Sequence, residues 1–114
     1  MLTRIHRFHG HNALRPAYQK GSSAYGKNLK LIWLPSRAGG AYRAAVVVSK
    51  KVHKSAVVRN RIRRRLFELL RSTVPSDAGF ELVVVVQNSA VATMAAPELE
   101  AEVVGLLKKV PDML

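Results

Sequence analysis

The chain has no cysteine in its 114 residues. That excludes disulfides, thiolate nucleophiles and cysteine-ligated zinc, and it suits a reducing compartment. No apolar run approaches the ~18 residues of a membrane-spanning helix. The start, Met1-Leu2-Thr3-Arg4-Ile5-His6-Arg7, leads into no apolar signal segment, so a cytoplasmic protein is expected. The most telling absence is acid. No Asp or Glu precedes Glu68. The first two-thirds of the chain therefore hold no carboxylate to act as a general base or to ligate magnesium, as a nuclease made of protein would require. There is also no Gly-rich phosphate loop, no His-Glu-x-x-His and no internal repeat. No catalytic residue is expected in this chain.

What is present is positive charge. The net charge is +12. Residues 1–67 hold 16 Lys and Arg with no acid, and residues 68–114 hold three bases against seven acids, so +16 and −4 make up the total. Such a balance points to a polyanionic partner. The first two-thirds should face it, with the last third as scaffold. An apolar fraction of 48% supports a folded chain, and the length fits one domain over 1–114.

The chain is organised around residues 50–71. Ser55 is suited to cap a helix over Ala56–Thr73, a stretch with no Gly or Pro before Pro75. Val58, Ile62, Leu66, Leu69 and Leu70 form one apolar stripe. Asn60, Arg61, Arg63, Arg64, Arg65 and Arg71 fan around the rest of the cylinder, with Arg59 at its rim. Guanidiniums are always charged and match phosphate with a flat fork. Like charges at i,i+4, such as Arg59–Arg63 and Arg61–Arg65, oppose the helix by a few tenths of a kcal/mol each. A polyanion would relieve that repulsion.

The remaining elements follow from periodicity and punctuation. Asn12 can cap a short helix to about Lys20, closed by Gly21, with Leu14 and Tyr18 on one face and Pro16 bending its start. Ser22–Tyr25 is a short strand, and Gly26-Lys27-Asn28 turns into a strand over 29–34. That strand contains Lys30, placed to meet phosphate, and Trp33, read as core. After a turn at 35–40, Tyr42–Ser49 is a strand whose run Ala45-Val46-Val47-Val48 suggests a central position. Asp77-Ala78-Gly79 turns into a buried strand over Phe80–Gln87. Asp77 and Glu81 bracket that turn and are expected to be exposed or capping. Asn88 or Ser89 starts a helical turn, and Pro97 opens a last helix with Leu99, Val103, Leu106, Leu107 and Val110 inward. Glu98, Glu100 and Glu102 at its start and Lys108 and Lys109 at its end suit the helix dipole. His6, His9 and His11 have no carboxylate or thiolate near them in sequence and read as surface histidines beside phosphate rather than as metal ligands.

Arg59-Asn60-Arg61-Ile62-Arg63-Arg64, preceded by Ser49-Lys50-Lys51 at a strand end, resembles the Arg-Asn-Arg signature of the bacterial ribonuclease P protein component. The likeness extends along nearly the whole chain. It implies an α+β two-layer sandwich in αβββαβα order, of the ribosomal protein S5 domain 2-like type, with a left-handed βαβ crossover in place of the usual right-handed one. It also implies a role without protein catalysis. The family's catalyst is an RNA, which positions Mg2+ to remove the 5′ leader of precursor tRNA, while the protein holds that RNA and the leader. On this reading Lys50, Lys51, Lys54, Arg59, Asn60, Arg61, Arg63 and Arg64 contact the catalytic RNA, and Phe8, Leu14, Tyr18 and Lys30 border the leader. The chain has Leu14 where the family often has Phe, Arg65 where an apolar residue is usual, and Phe67 where an Arg is expected. Phe67 lies on a stripe with Asn60, Arg64 and Arg71, off the apolar face, and is expected to be exposed and to stack on an RNA base. The partners implied are the ribonuclease P RNA and precursor tRNA, with no membrane and no obligate protein partner. The competing readings are a structural ribosomal-type RNA-binding protein and a basic protein that binds DNA or a membrane surface.

Overall fold

The computed structural model describes residues 11–36, 41–111 and 113, with the side chains of residues 11–14 excepted. The order is α1 (His11–Lys20), β1 (Ser22–Tyr25), β2 (Leu29–Pro35), β3 (Arg43–Val47), α2 (Ala56–Thr73), β4 (Phe80–Val86), a 3-10 turn (Ser89–Ala92) and α3 (Ala96–Leu107). Every expected element is present. α1 includes His11 and Asn12, two residues before the Ala13 start that an Asn12 cap implied, and carries Pro16 inside it.

The four strands form one sheet in the order β1-β2-β4-β3. β2 is antiparallel to both β1 and β4, and β3 is parallel to β4. The parallel pair is the strand–helix–strand unit expected around α2. One expectation fails here. β3 is an edge strand, and β4 occupies the centre. The apolar run of β3 arises because one face packs into the main core and α1 covers part of the other, not because it has a neighbour on each side. Ala44, Val46 and Val48 belong to the main core, while Ala45 packs on the opposite face with Ala17 of α1.

The main core lies between one sheet face and the two C-terminal helices. Ile62, Leu66 and Leu70 of α2 and Leu99, Val103, Leu106 and Leu107 of α3 meet Leu29, Leu31, Leu82, Val84 and Val86 of the sheet. Trp33 packs against this cluster, as expected of core. The other face carries a smaller cluster, in which Ala17 of α1 covers Ile32, Ala45 and Val83. The sheet and its two C-terminal helices thus make the two-layer sandwich, with α1 laid over part of the far face.

Three local features hold these layers in place. A Cβ on Gly21 would lie 2.4 Å from the Ala17 carbonyl oxygen and 2.6 Å from Ile32 Cγ2, so only glycine lets α1 close down onto β2. Gly79 has φ 74°, the left-handed conformation that the turn into β4 requires. The β1–β2 turn is fastened to α3. Glu102 accepts hydrogen bonds from the backbone N–H and the side-chain amide of Asn28, each at 2.8 Å, and the Asn88 amide donates to Asn28 Oδ1 at 2.8 Å. Glu102 is therefore more than a complement to the helix dipole; it is the tie between the hairpin and the last helix.

Glu81, expected at the surface, is fully buried. Its strand register sets it beside Arg43 of β3 and Leu34 of β2. An acid at full burial is kept only with a partner, and the neighbouring cation supplies the chemical reason for placing it there. Asp77 is exposed, as expected.

Replacing Glu102 with Ala removes two charge-assisted hydrogen bonds to a buried Asn28. The expected cost is about 2 kcal/mol, or roughly 8 °C in melting temperature for a domain of this size. A thermal melt that shifts by less than about 2 °C would show that the tie is not needed.

Candidate nucleic-acid interface

The sequence that crowds cations together also builds the scaffold that holds them. Ser55 caps α2 by accepting the Val58 N–H at 3.4 Å. The Ser55 N–H itself donates to His53 Nδ1 at 3.0 Å. Arg59 reaches back and donates through Nη1 to the carbonyls of His53 and Lys54 at 2.9 and 2.8 Å. Arg63 donates to Asn60 Oδ1 at 2.9 Å and to the Val48 carbonyl at 3.4 Å. The first turns of α2 thus shape the loop at 49–54 and join it to the end of β3.

These bonds sort the basic residues into two sets. Arg59 and Arg63 are partly buried and fix the loop. Lys50, Lys51, Lys54, Asn60, Arg61 and Arg64 are exposed. The exposed set lies on the loop and the first turns of α2, where flat guanidiniums and lysine ammoniums can meet phosphates. Val57 lies among them and is 70% exposed. Sequence reasoning passed over it; its signal is that it lies off the apolar stripe and one helical turn before Arg61.

Next to this surface lies the sheet face that α1 only partly covers. The register lines up Ser23, Ile32, Val83 and Ala45 in one row across the four strands. Ala17 covers the row's last three residues. One step along, toward the basic loop, Tyr25, Lys30, Val85 and Val47 make a parallel row. Lys30, Val85 and Val47 are partly buried, and Tyr25 is 61% exposed. Tyr18 on α1 is 52% exposed. The Lys30 ammonium lies 5.0 Å from the centroid of the Tyr25 ring. Of the residues expected to border the leader, the structure therefore places Tyr18 and Lys30 on or beside one face. Phe8 lies outside the described residues, as does the side chain of Leu14. Tyr25, Val85 and Val47 were missed, because membership of this row depends on strand pairing.

Two residues of α2 differ from expectation. Arg65 does not point into the basic surface. It donates to the Val91 carbonyl at 2.8 Å and to the Met94 carbonyl, and so fastens the 3-10 turn to α2. Phe67, expected to be exposed, is partly buried and packs against the main core. It follows Leu66 by one residue and precedes Leu70 by three, so the buried arc is wider than the five-residue stripe. Among the described residues, no three His, Cys, Asp or Glu side chains come together as a metal site. Nor is any helix long and apolar enough to cross a membrane.

The fold and the arginine-rich helix can be compared with known proteins. The family model for Ribonuclease P matches residues 2–111. The chain belongs to the ribonuclease P protein family. A Synechococcus protein (strain JA-2-3B'a(2-13)) named ribonuclease P protein component is 38% identical, over 96% of this chain and 84% of its own length. One of the same name from Brevibacillus brevis is 31% identical, over 95% of this chain and 85% of its own. Among solved structures, the Staphylococcus aureus RNase P protein superposes with a TM-score of 0.78 at 20% identity, covering 96% of this chain and 98% of that one. The Thermotoga maritima RNase P protein gives 0.73 at 20% identity, covering 85% and 94%. These structures bear out the α+β architecture, and the family carries the association with tRNA processing.

The two sets of arginines should behave differently. Replacing Arg61 or Arg64 with Ala should leave the melting temperature unchanged and lower the slope of log K against log salt for RNA binding by about 1 each. Arg65→Ala should lower the melting temperature and leave that slope unchanged. If Arg65→Ala alters the salt slope as much as Arg64→Ala does, the division is wrong.

Phe67→Ala should cost about 1–2 kcal/mol of stability, since a partly buried ring is lost from the edge of the core. An unchanged unfolding midpoint in urea would instead place the ring in solvent.

Proposed function

We propose that this chain is the protein subunit of a ribonuclease P holoenzyme and acts in the cytoplasm on precursor tRNA. The observation that carries the reading is the adjacency of two surfaces. A basic surface made by Lys50, Lys51, Lys54, Arg61 and Arg64 lies at one end of a partly open sheet face that bears Lys30, with Tyr18 on the helix laid over it.

On this reading the basic surface holds the catalytic RNA. Each cation neutralises a phosphate and releases counterions, which makes the contact tight at low salt and insensitive to sequence. Asn60, oriented by Arg63, presents an amide among these charges for ribose or backbone groups. The sheet face takes the unpaired 5′ leader. Its apolar floor accepts bases of any identity, and Tyr18 offers a ring for stacking.

Cleavage of the leader is assigned to the RNA subunit, with Mg2+ bound mainly by that RNA. The described acids of this chain are spread over α2, β4 and α3 and the turn before β4, away from the basic loop. They offer no carboxylate cage for a hard cation. What the protein contributes is charge. The stretch 50–65 holds eight cations, one of which, Arg65, keeps its guanidinium within the fold. By lowering repulsion between the RNA and its substrate, they let the RNA work at lower Mg2+ concentrations.

The test is reconstitution. The protein, a bacterial ribonuclease P RNA and a 5′-extended precursor tRNA, combined at low Mg2+, should release mature 5′ ends. Protein alone should release none, and RNA alone far fewer. Tight RNA binding without any gain in cleavage would favour a structural RNA-binding protein. Cleavage by the protein alone would overturn the assignment of catalysis to RNA.

A further inference from the structure

Among the described residues, three large apolar side chains stand exposed: Tyr18, Tyr25 and Val57. Val57 lies in the basic surface, and Tyr18 lies on the helix that crosses the open sheet face. Tyr25 remains. It ends β1, a four-residue edge strand whose other residues are Ser22, Ser23 and Ala24. Nothing in the core uses its ring.

The position of that ring is informative. Tyr25 pairs with Lys30 across the hairpin, and the row continues through Val85 to Val47. Three inter-strand spacings make this row roughly 14 Å long. Its far end lies two residues before Ser49, where the basic loop begins. The row is thus a shallow track with phosphate-binding cations at one end and an aromatic ring at the other. Lys30 leans over the ring at 5.0 Å, a cation–π contact that restricts the orientation of the ring and keeps an ammonium beside it. A ring held in place with a cation at its edge is the combination that sequence-tolerant single-strand binding uses: a π face for the base and a charge for its phosphate.

We infer that Tyr25 is a stacking platform for an unpaired leader base at the outer edge of the sheet, with Lys30 holding the ring and supplying the charge that meets the nucleotide's phosphate. The inference rests on the leader-binding reading above and extends it from α1 and the middle of the sheet to β1. It makes the leader path run across all four strands, from the basic loop to the edge.

The test uses the reconstituted holoenzyme and two precursor tRNAs, one with a leader of about ten nucleotides and one with a leader of a single nucleotide. The readout is the ratio of their dissociation constants. For wild type the long leader should bind more tightly. Tyr25→Ala should reduce that preference by about tenfold, the effect of losing one stacked base. Tyr25→Phe keeps the ring and should retain the preference, and Lys30→Met should reduce it by a smaller factor. An undiminished preference in Tyr25→Ala would overturn the role of Tyr25 while leaving leader binding intact. A wild-type holoenzyme with no leader preference would overturn leader binding itself, and this inference with it.

Discussion

The structure depends on how α2 is held against the sheet. Its first ten residues carry five arginines and no acid, and like charges one turn apart oppose helix formation. The good helix propensity of arginine does not by itself hold so short a helix in water. The helix exists because Ile62, Leu66 and Leu70 are completely buried against the sheet and α3, and because Ser55 caps its first turn. Burial of three such side chains is worth several kcal/mol, well above the repulsion of the exposed pairs. The apolar face is what permits the other face to be so densely positive.

The same helix uses its arginines in more than one way. Arg59 and Arg63 bond to backbone carbonyls of the preceding loop and strand, and Arg65 bonds to carbonyls of the 3-10 turn. A guanidinium can satisfy two carbonyls at once because its donors lie in one plane with fixed spacing. Lys50, Lys51, Lys54, Arg61 and Arg64 then remain for a polyanion, on a loop and helix that their neighbours have made rigid. Preorganisation of this kind reduces the ordering cost of binding.

Much of this was legible from residue order. The boundaries of α2, its cap, its inward stripe and the buried strand at Phe80–Val86 follow from periodicity and punctuation. The Arg-Asn-Arg stretch and the lack of acids before Glu68 marked where exposed cations gather. What was misread depended on partners distant in sequence. The apolar run of β3 looked central, yet the strand is at an edge, with one face in the main core and the other partly under α1. Glu81 looked exposed beside a turn, yet the register buries it next to Arg43. Phe67 looked exposed from its helical angle, yet the core reaches around the helix to meet it. Periodicity describes a helix or strand in isolation and is silent on how wide a face its neighbours cover.

The sequence by itself determined which segments are helical or extended and where charge accumulates. Those properties are local: hydrogen-bonding patterns, side-chain period and formal charge belong to short stretches of chain. Only the tertiary structure decided which arginines are exposed and which bind carbonyls. It also decided that Glu102 joins the β1–β2 turn to α3, and that Tyr25, Lys30, Val85 and Val47 share one row. The physical reason is register. Side chains alternate across a strand, so a shift of one residue in the pairing would move Tyr25 to the opposite face. That pairing is set by turns and packing contributed from the whole length of the chain.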